Sequence, residues 1–242
     1  MKRLFIIANW MQGSGLSGGD RIFIELVKRW QLKLNITLFL SKEGSAICRR
    51  HELGKINQQI WASDFMSRWG YFVDILYRTI NSIINVFSVK TVSGDIIFSS
   101  SDFWPDSFPA LILKMRNPEI IWIAGFYLFA PKPWEKYSPY RGKNFLTGFL
   151  YWIGQLPTYY FIKKFADIVF VTSQPDVDPF ITNIRPKERV IVIRGGVDTV
   201  SAKHYLNSKK VIPPENRTYD ACFAGRFHYQ KGVLELVKIW KS

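Results

Sequence analysis

Near the end of the chain an apolar run, Ala221-Cys222-Phe223-Ala224, leads into Gly225-Arg226-Phe227-His228-Tyr229-Gln230-Lys231-Gly232 and then Val233-Leu234-Glu235-Leu236-Val237. The pattern predicts a short buried strand over 221–224, a glycine turn and an amphipathic helix. A strand-to-helix turn gathers free backbone N–H groups and the positive end of the helix dipole at one place. Arg226 and Lys231 add two full charges there. An arginine fork matches phosphate oxygens in pairs, and a lysine supplies a point charge. Gly225, Arg226 and Lys231 are therefore candidates for holding a diphosphate. The competing reading of the same spacing is an ordinary strand, turn and helix with two solvated cations.

A second glycine cluster follows the first apolar run, Leu4–Ala8. It contains Gly13-x-Gly15-x-x-Gly18, the literal dinucleotide pattern, with Glu43 at a suitable distance to serve as a ribose acid. Trp10, Met11 and Gln12 separate the first glycine from the strand, and Glu43 falls after Ser41-Lys42, past the strand end. Two other readings compete. Gly18 and Gly19 form a substrate-cleft loop whose bare backbone admits a ligand, or the loop simply needs glycine for positive φ. Asp20 is the expected N-cap of a helix from Arg21 to Trp30, with Phe23, Leu26, Val27 and Trp30 on one face.

The elements that carry these clusters alternate between strand and helix. Leu4–Ala8, Asn35–Leu40, Asp95–Phe98, Glu119–Ala124, Asp167–Thr172 and Arg189–Ile193 read as buried strands. Helical patterns fall over 45–53, 64–86 and 105–114 between them. The fold class is α/β, a doubly wound parallel sheet. The exit Ser99-Ser100-Ser101-Asp102 has two readings, a set of polar ligand groups near a helix start or, more simply, a turn and cap, with Pro105 opening the next helix. Ser173 with Asp176 reads as a capping arrangement rather than acid/base carboxylates.

A chain of 242 residues with 48% hydrophobic and 16% aromatic content has room for one large α/β domain, or one domain and part of another. A net charge of +14 calls for an anionic partner: phosphates, nucleic acid or an acidic membrane surface. No basic and aromatic pattern suited to nucleic acid is present, so none is expected as a partner. Cys48 and Cys222 form no Cys-x-x-Cys, and His51, His204 and His228 lack metal-ligand spacing. No metal and no disulfide framework are expected, which fits a cytoplasmic location. Met1-Lys2-Arg3 with Leu4–Ala8 is too short for a signal peptide.

Asn144–Ile162 holds no charged residue and is flanked by Arg141, Lys143, Lys163 and Lys164. Gly148, Gly154, Gln155 and Pro157 interrupt it, so a membrane span is not expected. A buried or kinked helix and a segment lying on an anionic membrane surface are the two readings.

Gly225-Arg226-x-x-x-x-Lys231-Gly232 after an apolar strand resembles the donor-phosphate motif of GT-B glycosyltransferases, family 4 (glycosyl transferases group 1) in particular. Gly18-Gly19-Asp20 is similar to the first loop of that family, Asp167–Thr172 with Ser173 to a later strand, and Gly195-Gly196-Val197-Asp198 to the crossover out of the first domain. The resemblance implies an acceptor-side Rossmann-like domain over 1–198, a linker over 199–218 and the start of a C-terminally truncated donor domain over 219–242. The domain completing it would need roughly another hundred residues.

The implied activity is transfer of a sugar from a nucleotide-diphospho-sugar donor to a glycan or lipid-linked acceptor, with retention and without cofactor or metal. Arg226 and Lys231 would hold the donor diphosphate, and Gly18 and Gly19 would line the cleft. The implied setting is cell-envelope polysaccharide synthesis, peripheral at the inner face of the cytoplasmic membrane. The sequence departs from the family pattern after Ala124, where Gly125–Trp134 contains no histidine, and no catalytic residue is assigned. A non-catalytic binding module and an NAD-dependent oxidoreductase are the alternatives.

Overall fold

The computed structural model describes residues 2–13, 15–63, 66–195, 199–208, 210–219, 221–223 and 232–241. The chain divides into two compact units, one of residues 1–130 and 150–196, the other of residues 131–149 and 197–242.

The first unit is built on a seven-stranded sheet. Its strands are β1 (Arg3–Ala8), β2 (Asn35–Ser41), β3 (Asn57–Ala62), β4 (Ile96–Ser99), β5 (Ile121–Gly125), β6 (Ile168–Val171) and β7 (Val190–Val192). They lie in the order β3-β2-β1-β4-β5-β6-β7, and every neighbouring pair is parallel. The helices are α1 (Gly18–Trp30), α2 (Lys42–Arg50), α3 (Tyr71–Val86), α4 (Trp104–Arg116) and α5 (Phe145–Phe165), the last contributing residues from 150 onward to this unit.

Alternation along the strands sends side chains to both faces. Leu4, Ile6 and Ala8 pack with Leu38, Phe98 and Phe170 against Phe23, Val27 and Ile47 of α1 and α2. Phe5 and Ile7 pack with Phe39, Ile97 and Trp122 against Val86, Leu113 and Ile162 of α3, α4 and α5. Coverage of both faces explains the unbroken apolar runs in the central strands. The doubly wound α/β expectation is met.

Several local expectations are corrected. Ser17, not Asp20, is the N-cap of α1: its hydroxyl accepts from Asp20 N, and the Asp20 carboxylate accepts from Ser17 N, a reciprocal capping box. The helix expected over 64–86 begins only at Tyr71, after Gly70 at φ 97° and a short 3-10 turn at Ser67–Trp69. β3 went unread because Asn57-Gln58-Gln59 is polar, as suits an edge strand. The 145–165 segment is a helix containing Pro157, and among the described residues no helix is long and apolar enough to cross a membrane.

The second unit contains α6 (Val200–Leu206), inside the expected linker, and α7 (Val233–Lys241), the helix expected after Gly232. Residues 221–223 are in no strand and are exposed, so Cys222 is not the buried strand residue its neighbours suggested. Among the described residues no strand pairs with them, and an isolated apolar run gains nothing from extending.

Candidate functional site

Between β1 and β4 the winding of the sheet reverses: the chain proceeds from β1 outward to β2 and β3, then returns to lay β4 on the other side of β1. The two connections diverge there and leave a crevice outside the carboxyl ends of the strands. The residues leaving β1, β4 and β5 line this end of the sheet.

Asp106, in the first turn of α4 and 1% exposed, ties the β1 and β4 exits together. Its Oδ1 accepts from Asn9 N at 2.7 Å and Trp10 N at 3.0 Å. Its Oδ2 accepts from Ser100 Oγ at 3.1 Å and Ser101 Oγ at 2.5 Å. Burial pushes its carboxyl up to about 7, against the pull of these donors.

Arg78 of α3, with no solvent exposure, holds the next residues. Its Nη1 donates to the carbonyls of Asn9 and Met11, both at 3.2 Å, and its Nε to Asp74 at 2.9 and 3.0 Å. Its Nη2 donates to Glu43 of α2, which also accepts from Gly13 N at 3.2 Å. Gln12 Nε2 donates to Asp74 at 2.5 Å. The loop opening at Asn9 is thus fixed through its backbone as far as Gly13.

Beyond it, Gly18 and Gly19 form the first turn of α1, and they differ. A Cβ on Gly18 would meet nothing within 4 Å, whereas one on Gly19 would sit 2.9 Å from the Tyr127 ring. Tyr127 follows β5, and its ring and hydroxyl would also lie 2.8 Å from a Cβ on Gly125. Its hydroxyl and Asn9 Oδ1 are buried without a hydrogen-bond partner among the described residues. Burial, reinforced by the charges of Asp102, Asp106 and Asp20, pushes the Tyr127 phenol well above its usual range, so it stays a neutral O–H donor.

Asp102, at the β4 exit, faces a pocket of about 380 Å³ between α3, the start of α4 and α5. Gln155 Nε2 donates to Asp102 Oδ2 and to the Leu128 carbonyl, both at 2.8 Å, while Gln155 Oε1 accepts from Ala130 N at 2.8 Å. Burial raises the Asp102 carboxyl to about 6, against the lowering effect of Gln155. The rest of the lining is apolar or aromatic, including Phe72, Leu76, Phe103, Trp104 and Ile153. A carboxyl that titrates near neutrality at the polar end of such a pocket can accept a hydrogen bond from a hydroxyl or take up its proton.

Gly18 and Gly19 therefore lie at the switch-point end of the sheet, with Gly18 open and Gly19 filled by Tyr127. Glu43 is engaged by Arg78 and Gly13, which removes it as a ribose acid and weakens the dinucleotide reading. Gly225, Arg226 and Lys231 lie outside the described residues. Ser173 Oγ donates to the Asp176 carboxylate at 2.5 Å at a 3-10 turn but makes no side-chain cap to its backbone, so the two residues bond to each other rather than form the expected cap. Among the described residues no group of three or more His, Cys, Asp or Glu is arranged to hold a metal. Sequence reading named the exit that holds Asp102 but missed Gln155 and its partnership with that carboxylate. The available signal was a lone glutamine between Gly154 and Pro157 in a long uncharged run.

No family model matches the sequence, and no curated protein matches it. Among solved structures the chain is similar to Anabaena Alr3699/HepE in complex with UDP-glucose, at 13% identity and a TM-score of 0.46. It is similar to the same protein in complex with UDP, at 15% and 0.44, and with UDP and glucose, at 14% and 0.46. Each match covers 82% of this chain and 45% of the other, so the chain spans under half the length of these structures.

Proposed function

We propose that the chain is part of a glycosyltransferase that moves a sugar from a nucleotide-diphospho-sugar to a glycan or lipid-linked acceptor, with retention at the anomeric carbon. One observation carries the reading: Gly18 opens α1 at the topological switch point with free space above its Cα. Bare backbone at the N-terminus of a 13-residue helix, outside the carboxyl ends of a parallel sheet, suits close approach by an oxygen-rich substrate. The Gly225-Arg226-x-x-x-x-Lys231 motif supports the donor half by resemblance.

The barrier to transfer is departure of a diphosphate from a carbon with oxocarbenium character. Arg226, Lys231 and the N-terminal end of the following helix would stabilise the charge developing on that leaving group, without a metal. Asp102 would accept a hydrogen bond from an acceptor hydroxyl, and Gly18 would line the cleft, with Gly19 backed by the Tyr127 ring. The setting we assign is envelope polysaccharide synthesis at the inner face of the cytoplasmic membrane.

Titration calorimetry with a panel of nucleotide-diphospho-sugars tests the donor half. Binding of one donor, weakened about tenfold or more in Arg226→Ala and in Lys231→Ala, supports it. Binding unchanged by both substitutions overturns the diphosphate assignment. Anomeric NMR of any transfer product reports retention directly. A donor that binds while no acceptor is glycosylated would favour the binding-module reading.

A further inference from the structure

The solvent-facing side of α3 is apolar. Phe72, Leu76, Ile80 and Ile84 follow one another at four-residue steps and are 47%, 48%, 55% and 63% exposed. Exposed Trp69 precedes them and exposed Phe87 ends the line. The single acidic residue of α3, Asp74, is buried against Arg78, and α5 has none. Cations stack on the aromatic rings at the two ends of this line: Arg68 over Trp69 at 5.9 Å and Arg116 over Phe87 at 5.6 Å. Phe72 and Leu76 also line the pocket that ends at Asp102 and Gln155, so stripe and pocket are continuous.

We infer that this face of α3 docks on an anionic bilayer leaflet and that the adjoining pocket takes the hydrocarbon chain of a lipid from that leaflet. An apolar stripe flanked by aromatics and cations matches the boundary between acyl chains and anionic headgroups. The pocket has chain chemistry along its walls and one polar end, where a lipid's first hydroxyl or linkage oxygen would meet Asp102 and Gln155. A second copy of the chain is the poorer occupant, because each copy carries +14 and its cations border the stripe. For the identity of the acceptor this rests on the glycosyl-transfer reading, which it deepens to a lipid-linked acceptor. The binding itself needs no donor.

The test is co-sedimentation of the chain, without donor, with vesicles of phosphatidylglycerol and phosphatidylethanolamine and with neutral phosphatidylcholine vesicles. We expect binding to the anionic vesicles that falls as salt rises, and about tenfold or weaker binding by Ile80→Glu/Ile84→Glu. Pocket occupancy is read with phosphatidylglycerol brominated on its acyl chain, which quenches nearby tryptophan. The Trp104 contribution is the difference between wild type and Trp104→Phe. Gly154 lines the pocket and a Cβ there meets nothing within 4 Å, so Gly154→Leu is the substitution chosen to narrow it. It should abolish the Trp104 quenching while vesicle binding persists.

Absence of wild-type binding to anionic vesicles overturns the docking face, as does equal binding by the Ile80/Ile84 variant. Trp104 quenching that survives Gly154→Leu overturns the pocket assignment, and self-association abolished by Ile80→Glu/Ile84→Glu in the absence of lipid assigns the face to a second copy. Because the wild-type arms need no variant, a misfolded substitution leaves the test intact. Measured on a protein that carries the donor domain whole, lipid binding without donor binding would refute the transferase reading alone, and the reverse would refute this inference alone.

Discussion

Arg78 and Glu43 meet across the loop that leaves β1, the guanidinium donating to the carboxylate while Gly13 N donates to the other oxygen of the same group. One ion pair between α3 and α2 therefore also fixes the backbone that precedes α1. Arg78→Met should lower stability by about 3–5 kcal/mol in chemical denaturation, because it strands Asp74, Glu43 and two carbonyls. Glu43→Gln keeps an acceptor in place and should cost only about 1 kcal/mol. Neither the wild type nor Glu43→Gln should bind NAD in calorimetry.

The two glycines that open α1 should separate stability from function. Gly19→Ala drives a methyl into the Tyr127 ring and should cost about 1–3 kcal/mol in thermal or urea unfolding. Gly18→Ala meets open space and should change stability by less than about 0.5 kcal/mol. On the proposed reading Gly18→Ala nonetheless slows transfer, measured as nucleoside diphosphate released with donor and acceptor present. A Gly18→Ala variant with wild-type turnover would remove Gly18 from the cleft.

Asp106 makes stability depend on pH in a defined direction. Its carboxyl rises from 3.8 to about 7 on folding, and Asp102 rises from 3.8 to about 6. In that window the unfolded chain has released protons that the folded chain keeps. These two groups therefore contribute stability that is greatest below about pH 4 and declines as pH rises toward 7. In Asp106→Asn the side-chain oxygen can still accept from Asn9 and Trp10 and the amide can donate to the serines, so the variant should fold. Its stability profile between pH 4 and 7, measured by urea unfolding in matched buffers, should be flatter than wild type toward low pH.

Arg185 is wholly buried and donates to four carbonyls: Ala166 at 2.9 Å, Phe180 at 3.1 Å, Ile162 at 2.9 Å and Lys163 at 2.6 Å. Three of these lie at or just past the end of α5, where carbonyls lack helical partners and the dipole favours a cation. Burial lowers the Arg185 pKa to about 10, leaving it charged at neutral pH. Arg185→Met should cost about 2–4 kcal/mol, seen as a lower denaturation midpoint with unchanged denaturant slope.

What the sequence made legible follows from the range of the forces involved. Leu4–Ala8 and Asp167–Thr172 announce themselves because a strand covered on both faces needs apolar residues at every position. β3 escapes because Asn57 and Gln59 sit at an edge. Asp20 misleads because aspartate is a good N-cap, yet Ser17 three positions earlier satisfies the same rule with a reciprocal bond. Arg78 and Asp74 sit in a segment legible as a helix, but nothing local shows that they fix a loop some 65 positions away in sequence (78 − 13 for Gly13). Asp102 and Gln155 meet only through folding, so their partnership left no local mark. At the site itself, the glycines of the first loop were legible as a pair, but only packing against Tyr127 distinguishes Gly18 from Gly19.

The strand order has a consequence for biosynthesis. Reading outward from β1, the early strands β2 and β3 extend one side, and β4, β5, β6 and β7 extend the other in the order they are made. Each strand emerging after β4 thus finds its permanent neighbour already synthesised at the growing edge. β1 itself waits longest for its second neighbour, because the pairing of Leu4 with Ile96 needs that later residue. Until then the nascent chain carries β1 with one edge bare, and this is the longest wait in sequence of any strand in the sheet, the interval in which a ribosome-associated chaperone would have most to shield.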